Sequence, residues 1–177
     1  MSDLPSTHDW AAWATRYRED LLGSTLPFWL PRALDQEHGG FLLCRDRDGA
    51  LVDDDKGIWQ HGRFTWLLGK LHATVDPRPE WLEACRHGIQ FLEQHGFDPE
   101  DGRMWFHVAR DGTPIRKRRY AFTEAFGAIA FAAYARAARD AQAADEARRL
   151  YRLMPDDLEK LGPSTAVLTL PVVGAED

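Results

Sequence analysis

The sequence predicts an all-α protein built of helical hairpins with short β-hairpin insertions. Long apolar stretches recur at helical rather than alternating spacing. Clusters of Gly, Pro and Asp separate them. A strand pair followed by a helix also occurs twice, with Arg47-Asp48-Gly49 and Arg110-Asp111-Gly112 set 63 residues apart. Such repetition implies stacked units sharing one core, as in solenoids or toroids of helical hairpins. Asp-Gly turns are common, so the two matches alone leave coincidence open.

The first element runs from Asp9 to Leu34. Trp10, Trp13, Tyr17, Leu21, Leu22, Leu26 and Trp29 follow a helical period, and Asp9 stands where an N-cap belongs. Pro27 and Pro31 should bend or end this helix. Gly39 to Cys44 and Ala50 to Val52 then read as two short strands around an Asp-Gly turn. A helical pattern covers Gly57 to Thr74, and Pro77 and Pro79 part it from a second near Glu80 to His95, with Gly96 as its stop. A second hairpin is expected from Met104 to Ile115, then an Ala-rich helix from about Tyr120 to Arg139 and a further one from Ala144 to Met154. At Pro155 the composition changes. A domain over 1–154 and an irregular tail over 155–177 are expected, the latter a loose end or one edge strand.

Bulk properties narrow the function. The chain has 177 residues, 44% of them apolar, with seven Trp and nine Phe, enough for a sizeable core. Its formal charge is -6, so no broad cationic field exists to bind nucleic acid or an anionic membrane. The local run Arg116-Lys117-Arg118-Arg119 reads as a solvated loop or a carboxylate-pairing patch. Two distant cysteines, Cys44 and Cys85, suit a reducing compartment. The polar start and the lack of a membrane-length apolar run make a cytoplasmic protein the expectation.

On the helix from Gly57, Trp59, Arg63 and Trp66 fall at i, i+4 and i+7, so one face carries a guanidinium between two indoles. Aromatic rings cover the C–H surface of a sugar while the Arg fork donates to its oxygens. The same spacing suits an amphipathic core helix whose Arg pairs with a buried carboxylate. One helix later, Tyr120 and Glu124 lie one turn apart and could hold hydroxyl groups. Equally, Tyr120 could be half-buried core, and Glu124 the partner of a base such as Arg63. The seven histidines show no metal-ligand spacing, and no phosphate loop or nucleophile elbow is present.

Leu26-Pro27-Phe28-Trp29-Leu30, Gly39-Gly40-Phe41, Asp46-Arg47-Asp48-Gly49, Asp55-Lys56, Trp59-Gln60-x-Gly62-Arg63-x-x-Trp66 and Arg119-Tyr120-x-Phe122-x-Glu124-Ala125-Phe126 stand in order over most of the chain. Together they resemble the N-acylglucosamine 2-epimerase family. The resemblance implies a partial (α/α)6 toroid, six inner and six outer helices when whole, whose hairpins and loops form a sugar pocket at one end. It implies interconversion of sugars epimeric at C2, such as N-acetylglucosamine with N-acetylmannosamine or cellobiose with its mannose-ended epimer, and aldose–ketose isomerisation in relatives. By the same resemblance Arg63 is the catalytic residue, and Trp59, Trp66, Tyr120 and Glu124 are the substrate-binding ones. It implies no metal or cofactor, with ATP entering only as an effector.

Such chemistry removes a proton from the carbon beside an open-chain aldehyde and returns it to the opposite face. A base near neutral pKa suits the transfer and a fixed cation suits the enediolate oxygen. The family's acid/base histidines come from the second half of the barrel, to which nothing here corresponds. A twelve-helix toroid at roughly 30 residues per helix and connection needs about twice this chain. The expectation is therefore an N-terminal part, inactive alone, with exposed apolar flanks that favour association, a homodimer included. A non-catalytic sugar-binding or interaction module and a glycoside-hydrolase-like barrel are the competing functions. Glu124 has no evident acidic partner for the latter.

Overall fold

The computed structural model describes residues 6, 8–117 and 121–160. The first helical rod has three parts: α1 (Trp10–Asp20), a π-helical turn (Leu21–Thr25) and α2 (Leu26–Ala33). Asp9 caps it, one carboxylate oxygen accepting from the Ala12 N–H at 2.9 Å. Neither proline ends the rod at its own position, and the rod runs on to Ala33. Pro27 falls in the first turn of α2, where a missing N–H costs nothing. The irregularity lies just before it, where the Leu26 N–H reaches five residues back to the Leu21 carbonyl. Pro31 sits inside α2, and next to it the Arg32 guanidinium bonds the Phe28 carbonyl at 2.8 Å.

Both expected hairpins form. β1 (Cys44–Arg45) pairs antiparallel with β2 (Leu51–Asp53) around Gly49, whose φ is +90°. β4 (His107–Val108) pairs with β5 (Pro114–Arg116) around Gly112, whose φ is +93°. Only glycine adopts such angles without strain, which explains both Asp-Gly turns. The sequence reading lacked β3 (Lys56–Gly57), which pairs with β4 and leads directly into α3 (Ile58–Thr74). The second hairpin is thereby fastened to the start of a helix.

Helix α4 (Pro79–His95) runs antiparallel to α3, with Gly88 against Thr65 and Phe41 and Gly69 against Cys85. Helix α5 (Phe122–Ala138) runs parallel to α3: Gly62 meets the Phe126 backbone and Gly69 meets Ala133. Helix α6 (Ala141–Lys160) packs on α5 through Leu150, which faces Gly127. Two layers result, α3 beside α5 with α4 and α6 behind them. Leu68, Cys85, Ile89, Leu92, Phe131 and Leu150 fill the space between.

One boundary departs from the sequence reading. Helix α6 passes Pro155 and continues to Lys160, so the expected break at 154/155 is not a helix end. A proline removes one N–H bond and crowds one carbonyl, which kinks a helix without obliging it to stop. Residues 161–177, the rest of the expected tail, lie outside the described residues. Exposed large apolar side chains stand on α5, where Phe122 is 69% and Ile129 38% exposed, and on α1, where Trp10 and Tyr17 are exposed.

Glycine at 62 is what lets α3 and α5 touch. A Cβ there would stand 2.8 Å from the Phe126 carbonyl oxygen, a backbone atom that cannot rotate away. Gly62→Ala is expected to destabilise by about 1–3 kcal/mol, seen as a lower urea midpoint. Gly23→Ala in the π turn, where a Cβ meets nothing within 4 Å, should leave that midpoint unchanged or raise it.

Candidate functional site

Trp59, Arg63 and Trp66 line one cleft of about 570 Å³, and Leu26, Trp29 and Leu43 also line it. Helix α2 thus contributes an indole, Trp29, that the sequence reading did not number among the site residues. Trp59 is held by Phe126 of α5, their ring centroids 5.7 Å apart. Arg63 is exposed and makes no ion pair with a described residue. No Asp, Glu or His is among the residues that line the cleft. Among the described residues nothing pairs its positive charge, which leaves the guanidinium available to an incoming oxygen.

Glu124 does not line this cleft. It is 1% exposed, its Oε1 accepts from Arg103 Nε at 2.8 Å and from the Met104 N–H at 3.3 Å, and its Oε2 is without a hydrogen-bond partner. Its basic partner is Arg103, on the segment before β4, and not Arg63. Helical spacing could not show this, because the partner sits 21 residues away on a non-helical stretch. Tyr120 lies outside the described residues. Of the basic run at 116–119, Lys117 pairs with Asp98 and Asp101, the carboxylate-pairing alternative.

A more tightly built cluster went unread in the sequence. The Lys56 side chain is wholly buried, and its ammonium donates to Asp35 Oδ2 at 3.0 Å, the Gly39 carbonyl at 2.7 Å and the Arg110 carbonyl at 2.6 Å. Asp35 in turn takes two bonds from Arg110, both 3.0 Å. Burial alone raises the Asp35 carboxyl, but hydrogen bonds from Arg110 and Lys56 outweigh it and hold the group below the usual carboxylate range. The only sequence signal is a lysine directly before an apolar helix start, beside three aspartates that suggest a solvated loop. Those three, Asp53, Asp54 and Asp55, bring oxygens within 4.8 Å of one another, but Asp53 and Asp54 are open to solvent.

With this geometry in hand, solved structures place the fold in a class of barrel enzymes. Cellobiose 2-epimerase from Bacillus thermoamylovorans superposes with a TM-score of 0.73 at 28% identity, covering 81% of this chain and 37% of that one. A sugar epimerase from a ruminal bacterium gives 0.72 at 28%, over 84% and 37%. The chain is thus part of an (α/α)6 barrel with short β-hairpin insertions. The family model for N-acylglucosamine 2-epimerase (GlcNAc 2-epimerase) matches residues 39–164, and the chain belongs to that family. The N-acylglucosamine 2-epimerase of Bos taurus is 34% identical over 142 residues, 78% of this chain and 33% of that protein. A cellobiose 2-epimerase of Ruminococcus albus is 29% identical over 145 residues, 81% and 36%. The chain spans about a third of the length of these curated relatives.

Two outcomes follow from burial. Lys56→Met strips three acceptors of their cation and should cost about 3 kcal/mol, measured by urea unfolding. Of the two thiols, Cys85 is buried and pushed up to about 12 by burial, whereas Cys44 is exposed. A disulfide exchange reagent should therefore titrate one thiol in the native chain and two after unfolding.

Proposed function

We propose that this chain contributes the Arg63 side of a sugar 2-epimerase or isomerase site. The observation that carries the reading is an exposed guanidinium, free of any ion pair with a described residue, between two indoles on a cleft wall without acids. The family match supports it, as do relatives named for N-acylglucosamine and cellobiose 2-epimerisation.

In this reading a sugar in open-chain form lies against Trp59 and Trp66, its C–H face on the rings. The Arg63 fork donates to O1 and O2. As a base removes the C2 proton, charge gathers on the enediolate oxygen, and a fixed cation favours that state over the neutral aldehyde. Tyr120 is proposed to hold a sugar hydroxyl. Glu124, already occupied by Arg103 and Met104, is proposed to act indirectly, by fixing the start of α5 beside Tyr120. No acid/base histidine is among the described residues that line this cleft, and the chain alone is proposed to bind sugar without turning it over. The same feature favours the second reading, a sugar-binding module.

Titrating the chain with N-acetylglucosamine or cellobiose while following Trp fluorescence should give a saturable change. Arg63→Ala should abolish it and Arg63→Lys weaken it about tenfold or more, since an ammonium cannot donate through a planar fork. Neither change should move the melting temperature, because Arg63 has no ion pair with a described residue to lose. A response indifferent to both substitutions rules Arg63 out. Proton NMR in deuterated buffer should show no loss of the C2 proton signal with this chain alone. Exchange there would place both acid and base within it.

A further inference from the structure

Between α3 and α4 lies a titratable group that the proposed site does not use. His61 is 1% exposed, and neither Nδ1 nor Nε2 has a hydrogen-bond partner. Its ring is clamped between Phe41, at 4.7 Å between centroids, and Phe91, at 4.8 Å. Gly40, at a φ of +68°, presses on the imidazole so closely that any Cβ there would collide with it.

Cations and other imidazoles surround this cage. From β3, the Lys56 ammonium rests on the Phe91 ring at 4.4 Å. From α4, His87 leans on Phe41 and its Nε2 lies 2.9 Å from the Gly40 carbonyl, while His95 packs on Phe91 at 5.0 Å. The nearest charged groups from the loops are Asp35, committed to Lys56 and Arg110, and Arg110 itself, also paired with Glu37. Asp111, in the β4–β5 turn, lies toward His95. No carboxylate bonds His61.

We propose that His61 is an acid-sensitive joint: uncharged, it lets Phe41, Phe91 and the Gly39-Gly40 turn close on α3, and charged, it drives them apart and loosens the end where α3 begins. A proton would put a cation in a buried cage with no acceptor for either N–H among the described residues, beside Lys56. Burial first, then Lys56 and His87, hold the imidazole well below its ordinary proton affinity. The unfolded chain protonates this residue near pH 6.5. Native stability is therefore level above that pH and falls below it, because the unfolded state alone takes up the proton. Asp35 acts in a separate window, below about pH 4, since its carboxyl is held low.

Thermal melts of the 177-residue chain at pH 7.5 and 5.5 test this against His61→Phe, which keeps an aromatic ring between the two phenylalanines. The parent should lose about tenfold more of its folded-to-unfolded ratio over that step than the variant. The difference reads as roughly 3–5 °C. Equal losses would overturn the proposal. In parallel, an NMR titration of the imidazole carbons in the parent follows His61 directly, whether or not the variant folds. No midpoint above pH 5.5 is expected for His61, and a midpoint near 6.5 would overturn the proposal.

Discussion

One buried ammonium organises the hairpin end of this molecule. Lys56 has no contact with solvent, so each of its three protons must find an acceptor inside the protein. Those acceptors come from the loop after α2, the Gly39-Gly40 turn and the turn between β4 and β5. Segments far apart in the chain are thus obliged to meet at a single point. Lys56 is also two residues ahead of α3, so the same point sets where that helix starts and hence where Arg63 stands.

Around this knot the chain divides its charges by purpose. Asp35, Lys56, Arg110 and Glu37 neutralise one another, as do Glu124 and Arg103, and Lys117 with Asp98 and Asp101. Arg63 has no such partner among the described residues. A charge kept paired stiffens the frame, whereas one kept unpaired on an apolar wall retains its full capacity for a ligand. The aromatic residues divide likewise. Phe41 and Phe91 close over His61, while Trp29, Trp59 and Trp66 line open space.

Periodicity made α3, α4 and α5 legible, because each buries one face and leaves the other wet. The Asp-Gly turns made both hairpins legible through the angle their glycines must adopt. Strand β3 was not, being two residues long with no alternation to read. Nor was the continuation of α6 through Pro155, since a proline withholds one helical hydrogen bond without obliging the helix to stop. Trp59, Arg63 and Trp66 share the cleft as their spacing suggested, since one helix face is a local property. The Glu124–Arg103 pair and the Lys56 cluster depend on loops meeting across 21 and 54 residues, a distance no local pattern encodes.

The close seating of Gly62 and Gly69 against α5 has a mechanical consequence. With the Phe126 backbone seated on Gly62 and Ala133 on Gly69, no bulky side chain separates α3 from α5, and the two pack nearly backbone to backbone. The rod on the cleft's other side is different: its first eleven residues bury nothing, and a widened turn interrupts its regular bonding midway. A widened turn at Leu21–Thr25 thus separates the part of the rod that walls the cleft, Leu26 and Trp29, from an α1 with no buried residue to anchor it.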